Sequence, residues 1–512
     1  MASSWSQSVT VALVYLAAIV ERADEQILPS LYFFIGKSLN ATPADLGAVT
    51  LCRALVQAIS SPLSGLLGDR YDRTLVIAGG CFLWGIMTAA LGLATSIREA
   101  MVYAACNGVG LALVIPCSQS LIADFYTPEV RGRAFGLMQL IGALGVMLGG
   151  LFATNVGHYS PMGMEGWRFA VELVAVLSMI TGFLVLKYAV DPRRQHLAPK
   201  MYKPIPQDEP SDVEAKGEAT KGEQHRVTHA VTRGRSNMPT SPIGRTQMGG
   251  TVPKATSQKQ TLGGVWRDVR WMLSIRTFQA IIAQGVVGSM PWNAMVFFTL
   301  WFQLMGFSDL GASTLVAIFH MGCAMGAFAG GLIGDSMSLR FPNAGRIMTA
   351  QISVFSGLPL SILLLKVLPA MGLAGRAAPF AVVMFSLGFV IPWCSPGCNS
   401  PIFAEIVPEE MYSRVYAFDR SFEGAVAACA APVVGIVAQS TFGFKGSVDT
   451  GRDSGPSENA GALGSSLLLC LMAPWSMCLV LYTVLYWTYP RDRNFAKEMK
   501  RKLSVANLSE KG

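Results

Sequence analysis

The sequence predicts an all-α membrane protein of twelve transmembrane helices in two pseudo-symmetric six-helix halves, and three observations carry that reading. First, its 512 residues are 52% hydrophobic and only 14% charged, with mean hydropathy +0.42, where a soluble domain carries about 25% charge. Second, the apolar residues fall in runs long enough to cross about 30 Å of hydrocarbon as helices. Third, the chain repeats itself. GLLGDRYDR begins at Gly65 and GLIGDSMSLR at Gly331, each closing an apolar run. Asp45-Leu46-Gly47-Ala48 returns as Asp309-Leu310-Gly311-Ala312, and Pro128-Glu129 before Arg131 and Arg133 returns as Pro408-Glu409 before Arg414. Three echoes in one order mark a duplicated bundle.

The first half, 1–190, holds apolar runs at 9–34, 46–67, 75–94, 100–123, 135–156 and 167–190. The second, 271–490, holds runs at 275–302, 312–333, 347–368, 377–390 or longer, 415–438 and 462–489. Between them, 191–270 is rich in Lys, Glu, Ser, Thr, Pro and Gly with no apolar period, a composition that cannot bury enough surface to fold alone. It reads as a disordered tether, with phosphorylation at Ser236, Thr240 or Ser241 as the regulatory alternative. The residues 491–512 form a basic tail.

Basic residues are retained on the cytoplasmic side, because translocating them is unfavourable. Arg70, Arg73, Arg131, Arg133, Arg340, Arg346 and Arg414 fall on one side of the twelve-span topology, together with the linker and the tail. Both termini and the linker are therefore expected in the cytoplasm, and the net charge of +8 is chiefly this topology signal. No basic-aromatic patch accompanies it, so nucleic acid is not an expected partner. Fewer than ten residues precede the first run, too few for an amphipathic presequence, so no transit peptide is expected, and the first run is too long and charged for a cleaved signal. Asn40-Ala41-Thr42 is an outward glycosylation acceptor on this topology, at Asn40, whereas Asn507-Leu508-Ser509 stays inside.

Cysteines such as Cys52, Cys81, Cys106, Cys323 and Cys429 lie in apolar runs and act as small packing residues. Cys394 and Cys398 have neither the spacing nor a neighbouring His for a metal or dithiol site. With no H-E-x-x-H, no nucleotide-binding loop and no G-x-S-x-G elbow, neither an enzyme nor a cofactor is expected.

The chemistry-bearing residues lie inside the runs. Glu21, Arg22, Asp24 and Glu25 form a charged cluster in the first; the carboxylates share a helix face and Arg22 points about 100° away, toward another helix or a substrate anion. The alternative is a short span ending at Val20 with the cluster in an outer loop; the apolar character of 27–35 favours the membrane interior. Asp419, Arg420 and Glu423 in the eleventh run have the spacing of an intrahelical salt bridge, which fits a structural pair and a cavity lining equally. Arg53 in the second run cannot neutralise itself and needs a partner. Asn107, Gln139 and Asn293 are further polar candidates, with Gln57, Gln279 and Gln284, any of which can serve as interhelical hydrogen-bond glue. His320 is the one membrane-embedded residue whose unperturbed pKa lies near neutrality, and it reads as a satisfied hydrogen-bonder or a proton relay. Gly142, Gly145, Gly149 and Gly150, and Gly322, Gly326, Gly330 and Gly331, recur at near-helical spacing and permit close helix approach.

The phrase from Gly65 through Asp69, Arg70 and Arg73 resembles the signature loop between the second and third helices of the major facilitator superfamily. The resemblance implies that family's fold over nearly the whole chain except the linker and tails. It also implies a cytoplasmic latch made by Gly65, Asp69, Arg70 and Arg73, in which the Asp faces a helix N-terminus of the other half. In the second copy Asp335 keeps its place, Ser336 replaces the Arg, and Arg340 comes one position late. Gly108-Val109-Gly110 resembles the fourth-helix motif linked to proton coupling, with Ala104 where the family has Arg. SLIADFYTPEVRGRAFG near Ser120 and ERADEQILP near Glu21 resemble the Spinster-like branch and, more closely, uncharacterised plant and algal members. Those also carry phrases like Met290-Pro291-Trp292-Asn293 and the one from Tyr416 to Glu423.

The resulting expectation is a monomeric, multi-pass secondary transporter, working by alternating access, whose partners are the bilayer, a small organic or amphipathic lipid-like substrate, and protons. Arg22, Arg53 and Arg420 are the candidate anion holders. Glu21, Asp24, Glu25, Asp419 and Glu423 are the candidate proton carriers, since alternating burial shifts a carboxyl's proton affinity. A receptor with the same fold, signalling through the linker, is the alternative.

Overall fold

A computed structural model of the chain describes residues 2–126, 128–192, 270–373, 376–407, 422–446 and 458–509. Among these residues every regular element is helical. The first half comprises α1 (Ala2–Ser30), α2 (Pro43–Arg70), α3 (Arg73–Gly92), α4 (Ile97–Phe125), α5 (Pro128–Val156) and α6 (Gly166–Tyr188). The second comprises α7 (Arg276–Leu304), α8 (Asp309–Arg340), α9 (Gly345–Ala370), α10 (Ala377–Ile406), α11 (Phe422–Ser440) and α12 (Glu458–Ser509). Among the described residues ten of them are long and apolar enough to cross a membrane, and α1 and α2 fall outside that group. In α1 the cause is visible in sequence, where four charges interrupt one apolar run.

Local chemistry starts several helices where the hydrophobic pattern begins. Thr42 and Asp45 form a capping box at α2 with Pro43 in the first turn, so two otherwise orphaned N–H groups are satisfied and the proline loses no hydrogen bond. Asp72 accepts from Thr74 N at 2.9 Å to open α3, and Ser308 accepts from Gly311 N at 3.1 Å to open α8. Two helices run differently from their apolar runs. The first run breaks at Leu31, after Pro29, into α1 and a short helix, Tyr32–Ser38. The tenth is longer than 377–390: its prolines are absorbed by a 3-10 turn at Ile391–Trp393 and a π turn at Ser395–Asn399, and helix resumes to Ile406.

The duplication is explicit in the packing. In the first half α2 packs on α4, α3 on α6 and α1 on α5; in the second α8 packs on α10 and α9 on α12. The glycine series explains two of these. A Cβ at Gly149 would lie 2.7 Å from the Ala23 carbonyl, so only a bare Cα lets α5 approach α1. At Gly330 a Cβ would lie 2.6 Å from Trp393 Cα, which sets the α8–α10 distance in the same way.

The two halves touch chiefly at the ends of α2, α5, α8 and α11. Asn155 Nδ2 donates to Ser313 Oγ at 3.3 Å, and His158 Nδ1 lies 3.7 Å from Asp309 Oδ2, both linking α5 or its following loop to α8. Gly47 of α2 meets the backbone of Ala431 in α11, and the Tyr32 ring lies 5.1 Å from that of Phe297 in α7. At the opposite, basic end the described ion pairs stay within one half. Arg73 binds Asp124 at 2.8 Å and Asp191 at 2.5 Å, and Arg346 binds Asp335 at 3.0 Å and Glu405 at 3.3 Å.

Candidate functional site

The continuous helix α1 carries the charged cluster into the bundle. Glu21 and Asp24 are 4% and 5% exposed, which no outer loop would give. Asp24 faces α2, α3 and α4. Arg53 Nη1 lies 3.5 Å from its Oδ2 and 3.4 Å from its backbone O, and Thr88 donates to its Oδ1 at 3.2 Å. Asn107 donates to Thr88 at 2.8 Å. Arg53 Nη2 also donates to the Glu25 carbonyl at 3.3 Å. A buried carboxylate and a buried guanidinium thus compensate one another, as their removal from water requires.

Arg22 behaves differently from its sequence expectation. Its guanidinium stays on its own helix, with Nη1 at 2.6 Å from Glu25 Oε2 and Nε at 3.5 Å from Glu21 Oε2. Its stem instead covers Gly142 of α5. The Arg22 and Glu25 side chains are 39% and 46% exposed, so this pair forms the accessible edge of the cluster.

Two small cavities adjoin it. One lies between α1, α4 and α5, with Glu21, Arg22, Ser118, Gln119 and Gln139 against Val114, Ile115 and Met138. The other lies between the halves, where Gln26 and Ser30 of α1 face Thr299 of α7 and Ser313 and His320 of α8. The structure therefore gathers Glu21, Arg22, Asp24, Glu25, Arg53, Asn107, Gln139 and His320 around α1.

The remaining sequence candidates stand apart. Asn293 is half-buried on α7. Glu423 on α11 turns its carboxylate against Gly285 of α7, on the second-half side. Asp419 and Arg420 lie outside the described residues, as does the linker over 193–269. Asn40 is exposed in the turn before α2, at φ 50°, a left-handed conformation that Asn tolerates better than most residues. Of the latch residues, the side chain of Asp69 and the surroundings of Gly65 lie outside the described part, and Arg70 is exposed at the end of α2. Arg73 is 1% exposed and is used within the first half, where it ties α3 to Asp124, Asp191 and Ser120. In the second copy Asp335 pairs with Arg346, while Arg340 lies 5.8 Å over the Phe341 ring.

Thr88, Ser118, Gln119, Gln26 and Ser30 were not singled out by sequence. A lone hydroxyl within an apolar run carries no periodic signal, and only helix packing shows what it faces.

Comparison with known proteins matches residues 14–432 to the model of the Major Facilitator Superfamily. Among curated proteins, the chain is similar to protein spinster of Drosophila melanogaster, 22% identical over 191 residues, 37% of this chain and 31% of that one. It is also similar to the quinolone resistance protein NorA of Staphylococcus aureus, 29% identical over 143 residues, 27% of this chain and 37% of that one. The matched stretches thus span about a third of the length of these curated relatives. Among solved structures, a bacterial homologue of the human lysosomal transporter Spinster, inward-facing and unoccupied, superposes with TM-score 0.70 at 17% identity, covering 95% of this chain and 98% of that one. The D-xylose–proton symporter superposes with TM-score 0.58 at 12% identity, covering 91% and 97%. At these identities the superpositions establish the fold.

Proposed function

Since this chain belongs to the Major Facilitator Superfamily, we propose that it is a secondary transporter that moves a small organic solute or an amphipathic, lipid-like molecule by alternating access. The observation that carries this reading is the placement of polar groups. In a largely apolar bundle, Gln26 and Ser30 of α1 face Thr299, Ser313 and His320 across a cavity between the halves, on the same helix as the Arg22–Glu25 ion pair. A fold that only had to persist in lipid would gain nothing from charges at that interface. With α5 held to α8 at one end and the described ion pairs of the other end kept within each half, rocking about a central site is a motion these contacts permit.

The names of the relatives support the same class, since proteins called spinster, a quinolone resistance protein and a sugar–proton symporter share this family or fold. Protons are the coupling ion we favour, with Glu21, Asp24, Glu25 and Glu423 as carriers, and a monomer is the working unit. Both termini and the linker lie in the cytoplasm on this reading, with Asn40 outside and open to glycosylation.

The test is an untargeted metabolite and lipid comparison of cells with and without the protein, followed by flux of each hit into proteoliposomes. Substrate-linked flux supports the transporter. Binding without flux, with a response that depends on the linker, supports a receptor instead.

A further inference from the structure

The cavity between α1, α4 and α5 has the polarity of a site for one end of a ligand. Both guanidinium groups near it are already engaged. Arg22 holds Glu25 at 2.6 Å and Glu21 at 3.5 Å, and Arg53 holds Asp24 and two backbone carbonyls. An incoming anion would have to displace a carboxylate from its partner in a poorly screened interior, leaving that carboxylate uncompensated. The formal count points the same way: three carboxylates, Glu21, Asp24 and Glu25, stand against two guanidinium groups. His320 does not reverse this, because it lines the other cavity and not this one.

A second observation is independent of charge. Ser118, which lines the cavity beside Glu21, is 2% exposed and its Oγ has no hydrogen-bond partner. Buried hydroxyls are rarely left so. An N–H donor entering the cavity would meet that oxygen together with the Glu21 carboxylate, while Val114, Ile115 and Met138 cover the adjoining alkyl chain.

We infer that this cavity seats the polar end of the substrate and that this end is an organic ammonium group, donating to Ser118 Oγ and Glu21. The inference rests on the transport reading and gives its substrate a cationic polar end, where the sequence offered Arg22, Arg53 and Arg420 as anion holders.

The experiment uses the full chain in nanodiscs and equilibrium binding of three radiolabelled amphiphiles with one tail: decylammonium, decanol and decanoate. Decylammonium is expected to bind more tightly than decanoate by about tenfold or more, the scale of one charge-assisted hydrogen bond. Glu21→Gln should erase that preference. Ser118→Ala should weaken the amine about tenfold, with an unchanged thermal midpoint, as loss of one hydrogen bond from a charged donor implies. The serine variant keeps the test open should the glutamine variant fold poorly. Decanoate binding as tightly as decylammonium, no binding of the amine, or full amine affinity in Ser118→Ala would each overturn the inference. Proteoliposome flux of the metabolite hit decides the transport reading separately, whichever amphiphile binds.

Discussion

Arg53 of α2 and Asp24 of α1 form a buried ion pair, 3.5 Å apart and 8% and 5% exposed, to which Thr88 of α3 and Asn107 of α4 add hydrogen bonds. Four helices of the first half therefore converge on one carboxylate. Arg53→Gln strands that carboxylate, and removing one partner of a buried pair costs about 3–5 kcal/mol. The expected result is a lower yield of folded protein and a lower thermal midpoint in detergent. The double variant Arg53→Gln/Asp24→Asn should recover much of the loss, since no unpaired charge remains. A single variant that melts like the parent would show that the pair contributes nothing to stability.

Outside the membrane-spanning segments, Glu165 precedes α6 and gathers contacts from three directions. Partial burial raises its proton affinity, but hydrogen bonds from Arg168 at 2.8 Å, Ser38 at 2.8 Å and Trp167 at 3.0 Å, with the Arg168 charge, outweigh it and hold the carboxyl below its ordinary value of 4.5. A carboxyl depressed in the folded state stabilises the fold above its unfolded pKa, and that contribution is lost as pH falls through the folded pKa. Glu165→Gln should accordingly lower the thermal midpoint at pH 7, with the gap from the parent closing below pH about 4.3. A gap that stays constant to pH 3 would exclude ionisation of Glu165 as its source. The side chain is half exposed, so the effect should be small.

The fold was legible because lipid leaves few choices: a run of twenty apolar residues must satisfy its backbone internally, and the helix is the local way to do so. The runs at 46–67 and 312–333 accordingly fall inside Pro43–Arg70 and Asp309–Arg340. The run at 377–390 extends to Ile406 because a 3-10 turn and a π turn carry α10 through Pro392 and Pro396, and Pro401 sits in the first turn of the helix that resumes. At the site, the clustering of Glu21, Arg22, Asp24 and Glu25 could be read, being local. What each one touches could not. Arg22 chose Glu25, three residues along its own helix, over another helix, and Arg73 found Asp191 across 118 positions of chain. Thr88 and Ser118 matter only because α3 and α4 are brought beside α1, which no residue type announces.

Adjacent glycines on α8 should respond in opposite ways. A Cβ at Gly330 would meet Trp393 Cα at 2.6 Å, backbone that cannot yield, whereas at Gly331 the nearest atom is Pro396 Cβ at 3.9 Å, an ordinary contact. Gly330→Ala must push α8 from α10 and should cost about 1–3 kcal/mol, the usual range for overpacking. Gly331→Ala should be neutral or slightly stabilising, because alanine is the better helix former by about 1 kcal/mol. Thermal midpoints of the two purified variants check this, and equal midpoints would mean that the helices are not in contact at Gly330.

The joint between the halves yields the last test. Asn155 ends α5 and Ser313 begins α8, and their 3.3 Å hydrogen bond lies beside the 3.7 Å contact of His158 with Asp309. If the substrate path opens alternately at the two ends, these contacts must break when this end opens. A covalent bond in their place would arrest the cycle with this end shut. In Asn155→Cys/Ser313→Cys, oxidation should form a disulfide that suppresses flux in proteoliposomes at least tenfold, and reduction should restore it, since locking one state removes the population shift that transport needs. Each single-cysteine variant should transport normally under both conditions. Substrate binding from the basic end should survive in the oxidised double variant, because the ion pairs among the described residues at that end stay within one half. Flux that persists after complete cross-linking, measured by mass shift of the peptides, would mean that the path does not pass between α5 and α8 at this end.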